Sequence, residues 1–427
     1  MVPHSNLPSL TGIRLSVRPF WVWDALIYAV VALLAWLTFG RVEDSPATAA
    51  QIIQMRLWFI ASLLAYLLAF QVSVGRYFFQ RPAGSVLVPV ASFLLLALLL
   101  GGIGKFASVW AMLPLHLLWL GLAALRQSVA RRLTPPLRLG MTSRPTDDLL
   151  RHLPPHRLQY VPITPHEPQS LHQIDALIIA PDEPRPLQTR ALAHAQLMNI
   201  PIITQRTLEE ELLGKVSLDS IDEGWLQRSA FQSTYQQVKR FLDVTATLLA
   251  LPLLLPLMAV VAAVVYFNSG RPVLFWKERV GQDGQAFQLV KFRTMTRDSE
   301  RSGPAFAKSG DQRVTPVGAF LRKFRLDELP QFWNVLRGEM SIIGPRPEQW
   351  AFVAEFEESI PLYTTRHWVR PGITGWAQVN QGYTDSVGQT TEKLQYDFFY
   401  VKHCSLSLDA LIVWKTIQTI LTGFGSR

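Results

Sequence analysis

Hydrophobic positions gather in four long blocks at the start of the chain, at about 20–40, 56–75, 84–103 and 106–125. Each is close to the ~20 residues that a helix needs to cross the hydrocarbon core of a bilayer. The pattern predicts four membrane-spanning helices. Asp24 and His116 are strongly polar side chains well inside them, and polar contacts between helices are the expected use of both. Cations flank the blocks unevenly. Arg14, Arg18, Arg76, Arg81, Arg126, Arg131, Arg132 and Arg138 lie on one side, and Arg41, Arg56 and Lys105 on the other. By the positive-inside rule, the N-terminus and everything after the fourth block face the cytoplasm. "SPATAA" after the first block loosely resembles a signal cleavage site. That block is long for a signal core and three more follow, so an uncleaved span is expected.

The pattern changes over about 136–222. "LRLGM", "LQYVPI", "ALIIAP" and "IPIIT" read as short buried strands, and "PLQTRALAHAQLMN" reads as a helix between the last two. Strand, helix, strand predicts a small parallel α/β domain. "LRLGMTSRPTDD" holds no G-x-G-x-x-G after the first strand, which argues against a dinucleotide site and for a regulatory or assembly module.

A fifth apolar block, at 244–266, is long enough to span, at ~34 Å as a helix. Its flanks disagree with a simple crossing. Lys239 and Arg240 precede it, and Arg271, Lys277 and Arg279 follow it, so both ends prefer the cytoplasm. Pro252 and Pro256 lie near its middle. Each removes a backbone donor and crowds the preceding turn, so a break is predicted there. A re-entrant helix, entering and leaving on the same side, satisfies both patterns. The last apolar stretch, "LSLDALIVWKTIQTILTGFG", reads either as a membrane-surface helix or as one packed on the C-terminal domain.

Composition narrows the partners. The 427 residues are 49% hydrophobic and carry a formal charge of +9. A basic balance suits nucleic acid, a membrane surface or phosphate-bearing substrates. The apolar blocks favour the last two, and no nucleic-acid partner is expected. The single cysteine, Cys404, excludes an internal disulfide and a cysteine-based zinc cluster.

Candidate chemistry centres on "RLDELPQ", where Asp327 and Glu328 follow Arg322, Lys323 and Arg325. The stretch "LRKFRLDELPQFWNVLRGEM" reads as helix, proline, then helix. Neighbours on a helix point about 100° apart, so the two carboxylates should have different tasks. Close carboxylates raise one another's pKa, and nearby cations oppose that. A carboxylate kept ionised among cations can attack phosphorus or hold Mg²⁺. Alone, the pair would read as a solvated helix surface. Its company changes that. "KFRTM" sets Lys291 and Arg293 on one face of an extended segment, and "GPRPE" holds Arg346 between prolines. "RHWVRPGITGWAQVN" adds Arg366, Arg370 and Trp376. Arginines suit phosphate oxygens, and aromatic faces suit sugars and bases.

Six segments occur in order: "VKRFLD", the proline-bearing block, "FWKERVGQDGQAFQLVKFRTM", "LRKFRLDELPQFWNVLRGEMSIIGPRPE", "RPGITGWAQVN" and "EKLQYDFFYVKHCSLSLDALIVWKT". Over about 237–425 the series resembles the bacterial polyprenyl-phosphate hexose-1-phosphate transferases, monotopic phosphoglycosyl transferases that begin exopolysaccharide, capsule or O-antigen units. By layout alone, the four spans and middle domain resemble the long form of that family. The resemblance implies an α/β membrane protein in three parts. These are a four-helix transmembrane bundle (1–130), a degenerate Rossmann-like α/β domain (131–230), and an α-rich catalytic domain on a re-entrant helix (231–427).

It also implies roles. Asp327 matches the nucleophile and Glu328 the residue associated with Mg²⁺. Lys291, Arg293, Arg322 and Arg346 fall in motifs around the substrate phosphates. Lys239, Arg240 and Asp243 match the start of the membrane hairpin, and Pro256 matches its breaking proline. The implied partners are a nucleoside diphosphate sugar (a UDP-hexose), undecaprenyl phosphate and membrane lipids, at a bacterial inner membrane with the catalytic domain cytoplasmic. A homodimer through the middle domain rests on the resemblance alone. Leu255, Thr294 and Arg325 depart from the family's usual residues, and Leu255 bears on the hairpin's geometry. A scaffold with secondary catalysis is the alternative reading, and the intact Asp327, Glu328 and Arg346 oppose it. A transporter built on the four spans is opposed by their scarcity of charge.

Overall fold

The structure, a computed structural model, describes residues 18–39, 112–133, 136–141, 158–163, 168–179, 192–218, 233–296, 311–381 and 387–422, together with 56–60, 62, 89, 92–93, 96 and 221. The chain divides into two compact units, Met1–Gly214 and Lys215–Arg427.

In the first unit, two long apolar helices, α1 (Arg18–Phe39) and α2 (Leu113–Leu133), pack together. Residues 56–60 and 62, and residues 89, 92–93 and 96, are also helical. Val31, Ala35, Trp58, Leu96, Met112 and Trp119 form one buried cluster, so each of the four apolar blocks contributes to it. The remainder of the second and third blocks, and the side chain of Asp24, lie outside the described residues. His116 is buried and bridges helices: Nδ1 lies 2.8 Å from Met112 O and Nε2 3.3 Å from Ser92 Oγ.

The middle strands form where the short apolar segments predict them. β1 (Leu137–Met141), β2 (Leu158–Pro162), β3 (Ala176–Ile179) and β4 (Ile202–Thr204) make one parallel sheet in the order β2-β1-β3-β4. Period-two patterning gives it two apolar faces. Leu139, Ala176, Ile178 and Ile203 lie in one core, and Leu177 and Ile202 in the other. Helix α3 (Gln205–Leu213) covers the first face through Leu208, and a helical segment at 192–197 covers the second through Ala195. Thr204 caps α3 by accepting from the Thr207 N–H, and Gly214 ends it in the left-handed region at φ 65°.

The second unit begins with α4 (Ser233–Ser269), 37 residues and ~55 Å if straight. It is the one helix among the described residues long and apolar enough to cross a membrane. It runs uninterrupted through Pro252 and Pro256, which corrects the expected break. Those prolines remove only the donors to the carbonyls of Leu248 and Pro252, and the other bonds of the ladder carry the helix past them. Its two ends pack on the same unit. Val261 and Val265 join Phe292 and Leu321 in a core, and Arg240 near the start donates from Nη2 to Leu336 O at 2.8 Å. The stretch between is exposed and apolar, with Leu253 at 73%.

After α4 comes an antiparallel hairpin, β5 (Leu274–Val280) with β6 (Ala286–Phe292). Then follow α5 (Pro316–Lys323), α6 (Gln331–Arg337), β7 (Ser341–Ile343), α7 (Trp350–Ser359), β8 (Gly372–Thr374), α8 (Trp376–Asn380), α9 (Val387–His403) and α10 (Leu406–Thr422). β7 and β8 pair in parallel. α10 buries Leu408, Leu411 and Ile412 and leaves Val413 and Ile417 exposed, so packing claims one of its faces.

Candidate active site

The sequence around the carboxylate pair folds as three pieces rather than one kinked helix. Thr315 caps α5 by accepting from the Gly318 N–H at 3.0 Å, and Pro316 supplies the first helical residue. Gly318 lets α5 close on the end of β6, because a Cβ there would lie 2.1 Å from Thr294 O. The chain then reverses at Arg325, a left-handed residue at φ 54°, into a single 3-10 turn, Leu326–Glu328. Leu326 and Leu329 pack into the core beneath α4's far end. That anchoring sinks Asp327 and Glu328 to 6% exposure each. Successive residues of a 3-10 turn point about 120° apart, so the two carboxylates still face different neighbours.

Arg346 reaches the site from the loop after β7. Gly344 and Gly372 allow two loops to lie backbone on backbone: Gly344 N donates to Thr374 O and Gly372 N to Pro345 O, each at 2.9 Å. A Cβ on Gly372 would fall 2.0 Å from Gly344 N. From this platform Arg346 Nη2 donates to Glu328 Oε1 at 2.9 Å. Arg325 Nη1 lies 3.7 Å from Glu328 Oε2. Lys291 on β6 and Arg322 on α5 complete the field around Asp327. Arg322 Nε is held by Thr294 Oγ1 at 2.9 Å.

The two carboxylates differ electrostatically. Burial and the neighbouring Glu328 charge push Asp327 up to about 6, against the pull of Lys291, Arg322 and Arg346. Burial also opposes Glu328, but Arg346 and Arg325 outweigh it and hold that carboxyl below its ordinary value. Glu328 is therefore the committed anion. Asp327 makes no hydrogen bond or ion pair among the described residues. Burial brings Lys291 down to about 8, and its Nζ lies over the Phe275 ring at 5.4 Å. The arrangement offers an unengaged carboxylate and a weakly held cation beside a fixed one.

No group of three or more metal-ligating side chains occurs among the described residues. The pair nonetheless fits Mg²⁺, which takes one or two carboxylates and fills the rest of its shell with phosphate oxygens and water. Glu328 Oε2 is buried without a hydrogen bond, an acceptor left for such an ion.

The remaining sequence-predicted residues lie elsewhere. Lys239, Arg240 and Asp243 dock the start of α4. Lys239 Nζ donates to Asp409 Oδ2 at 2.6 Å, and Arg240 holds the last carbonyls of α6 at Val335 and Leu336. Asp243 accepts from Ser341 Oγ at 2.7 Å and from the Ile342 N–H at 3.3 Å. Pro256 is inside the continuous α4. Arg293 donates from Nη2 to Ser269 O and Gly270 O at 2.8 and 2.5 Å, which ties its guanidinium to the end of α4. Trp376 is 1% exposed and stacks on Phe399, so its face is core rather than a sugar platform. Arg366 is buried against Asp397.

The family described as "Bacterial sugar transferase" matches residues 234–423. An Aeromonas hydrophila protein described as UDP-N-acetylgalactosamine-undecaprenyl-phosphate N-acetylgalactosaminephosphotransferase is 48% identical over 238 residues, 56% of each chain. A Caulobacter vibrioides UDP-glucose:undecaprenyl-phosphate glucose-1-phosphate transferase is 41% identical over 186 residues, 43% of this chain and 70% of the relative. The Exopolysaccharide production protein PSS of Rhizobium leguminosarum is 38% identical over 191 residues, 43% of this chain and 96% of the relative.

The chain belongs to the bacterial sugar transferase family. It spans about half the length of the Aeromonas relative. The region matched by the family model, 234–423, holds every residue of the site. The sequence counts Arg325 among the cations beside the pair without assigning it to Glu328, and it does not single out Glu348, which Lys393 Nζ binds at 2.6 Å. Lys393, Arg366 and Arg279 hold Glu348 down to about 2 against its burial. The "PRPE" spacing was the available signal, because it sets Glu348 two residues beyond Arg346.

Proposed function

We propose that this protein transfers a sugar-1-phosphate from a UDP-sugar to undecaprenyl phosphate, through a covalent intermediate on Asp327. The observation that carries the reading is the unengaged, buried Asp327 carboxylate facing Lys291, Arg322 and Arg346. An Asp327 oxygen attacks the β-phosphorus of the donor, forming an aspartyl-phosphate bond as the bond to UMP breaks. An oxygen of undecaprenyl phosphate then attacks that phosphorus. The aspartyl bond breaks, and the products are undecaprenyl-diphosphate-sugar and a restored carboxylate. Splitting one transfer into two lets a soluble donor and a lipid acceptor use the site in turn. Lys291, Arg322 and Arg346 hold the phosphate oxygens and stabilise charge on the transferring group. Mg²⁺, when bound at Glu328, would neutralise part of the diphosphate charge.

The membrane segment completes the reading. α4 is docked at both ends on one unit while its apolar middle is exposed. The reading lays that apolar middle in the inner leaflet as a shallow re-entry along an unbroken helix, with both ends on the cytoplasmic side, and sets Asp327 at headgroup height. The four apolar blocks then form a transmembrane bundle in a bacterial inner membrane, with the catalytic domain cytoplasmic. The donor is a UDP-hexose or its N-acetylated amine, and the relatives' names favour UDP-N-acetylgalactosamine and UDP-glucose as first substrates.

The test is UMP release from a panel of UDP-sugars by the membrane-embedded protein, with and without undecaprenyl phosphate and Mg²⁺. One donor should give lipid-dependent turnover. Asp327→Asn should give none. UMP release by a folded Asp327→Asn variant at the wild-type rate would end the covalent reading.

A further inference from the structure

Arg366 stands behind the site, too buried to meet substrate, at 2% exposure. All three of its nitrogens donate, through four N–H groups. Nε and Nη2 donate to Asp397 Oδ2 at 3.1 and 2.8 Å, and Nη1 donates to the Tyr363 hydroxyl at 3.0 Å. Nη2 also donates to Arg346 O at 2.8 Å. That last acceptor is the main chain of the arginine whose side chain holds Glu328.

Helix α9 carries the other half of the arrangement. Asp397 and Lys393 are four residues apart and share a face. Asp397 fixes Arg366, and Lys393 binds Glu348. The segment from Arg346 to Glu348 is thus held at both ends by one face of α9. Residues 344–349 have no helix or strand of their own to set their course. A loop of that kind takes its position from such side-chain contacts.

We propose that Arg366 and Asp397 are positioning residues that set the main chain of Arg346, and through it the cation that meets the donor's diphosphate. The proposal rests on the sugar-1-phosphate transfer above. Arg366 adds no contact to the substrate. It fixes where the Arg346 guanidinium begins, and small misplacements of a binding group carry large kinetic costs.

A double-mutant cycle in the full-length protein in lipid nanodiscs tests this. Asp397→Asn, Arg346→Ala and the double variant are compared as kcat and KM for UMP release, per folded molecule. If Asp397 acts through Arg346, Asp397→Asn lowers kcat/KM by about tenfold to a hundredfold. The double variant is then no worse than Arg346→Ala. Additive losses would overturn the proposal, because independent sites add. Should Asp397→Asn fail to fold, Arg366→Lys replaces it. The lysine keeps the charge and loses the fork that reaches Asp397 and Arg346 O together. Wild-type protein that releases no UMP from any UDP-sugar would end the transfer reading instead. The same cycle, read as UDP affinity by calorimetry, then still decides whether the two residues act through Arg346.

Discussion

Two buried groupings of lysine and carboxylate sit in the second unit, one at the start of α4 and one at the turn after α5. At the first, Asp409 accepts from Lys239 at 2.6 Å, from Tyr235 at 2.7 Å and from Tyr400 at 2.9 Å. Lys239 also lies 3.7 Å from Asp243, which Ser341 binds in turn. At the second, Asp327 has no such partner among the described residues, and Lys291 has only the Phe275 ring. The residue types match, and the difference is satisfaction. A buried ion cluster with its hydrogen bonds filled holds elements together. One left open keeps its charge available for something that arrives from outside.

Exchanging the charges should therefore break the two clusters in opposite ways. The largest effect expected is on catalysis by Asp327→Asn, which should lose UMP release by at least about 10³-fold, the scale of losing a nucleophile. The same variant should not be less stable. The folded protein holds the Asp327 proton up to about pH 6, well above an ordinary carboxylate. Ionisation therefore costs stability as pH rises from about 4 to about 6. Melting in EDTA above pH 6 should show Asn at or above wild type, and the gap should close at acid pH. Next in size is Lys239→Met. It leaves a buried carboxylate short of its cation and should cost about 3–5 kcal/mol. The folded fraction should keep its UMP release. A Lys239→Met protein that melts normally but has lost turnover would reverse the assignment of the two clusters.

The same contrast explains what could be read from the sequence. The strands at 137–141, 158–162, 176–179 and 202–204 were legible because a short apolar segment is a local signal. α4 was legible from its length and composition. Arg322 was legible as a neighbour of Asp327, but the meeting of Lys291 and Arg346 with that stretch was legible only through the resemblance, since no spacing rule brings the three segments together. Arg293 and Arg366 carried the same apparent signal as Arg346. Their partners, Ser269 and Asp397, lie 24 and 31 residues away, and nothing local distinguishes an arginine that caps a helix from one that meets phosphate. The prolines of α4 point to a break that the helix does not make. Two lost bonds bend or weaken a helix of this length, and they need not end it.

A pH titration sharpens the comparison at smaller amplitude. Burial holds Lys291 at about 8, with Arg322, Arg279 and Arg346 adding to the shift and Asp327 opposing it. UMP release should fall as pH rises through about 8, because Lys291 loses the proton that lets it bind phosphate. Lys291→Arg stays charged at every accessible pH, so its profile should lose that alkaline limb even if its maximum is lower. A limb at pH 8 that persists in Lys291→Arg would assign it to another group.

The smallest effect belongs to the orientation of an active-site cation by a neutral hydrogen-bonding partner. Arg322 Nε is held by Thr294 Oγ1 at 2.9 Å, and Thr294 O in turn receives the N–H of Thr315, which caps α5. Thr294 therefore orients Arg322 without touching the reaction. Thr294→Val keeps the shape and removes the hydroxyl, so one hydrogen bond to a guanidinium is lost. A bond of that kind is worth about 1.5–3 kcal/mol to the fold, of which only the part that steers Arg322 reaches the reaction, and kcat/KM should fall about three- to tenfold. Thr294→Ser keeps the acceptor and should stay within about twofold of wild type. Arg322→Ala should cost more than either, because it removes the cation itself rather than its orientation. Equal losses in Thr294→Val and Arg322→Ala would mean that orientation is the whole of Arg322's contribution. The distinction between satisfied and open cations would then fail at Arg322.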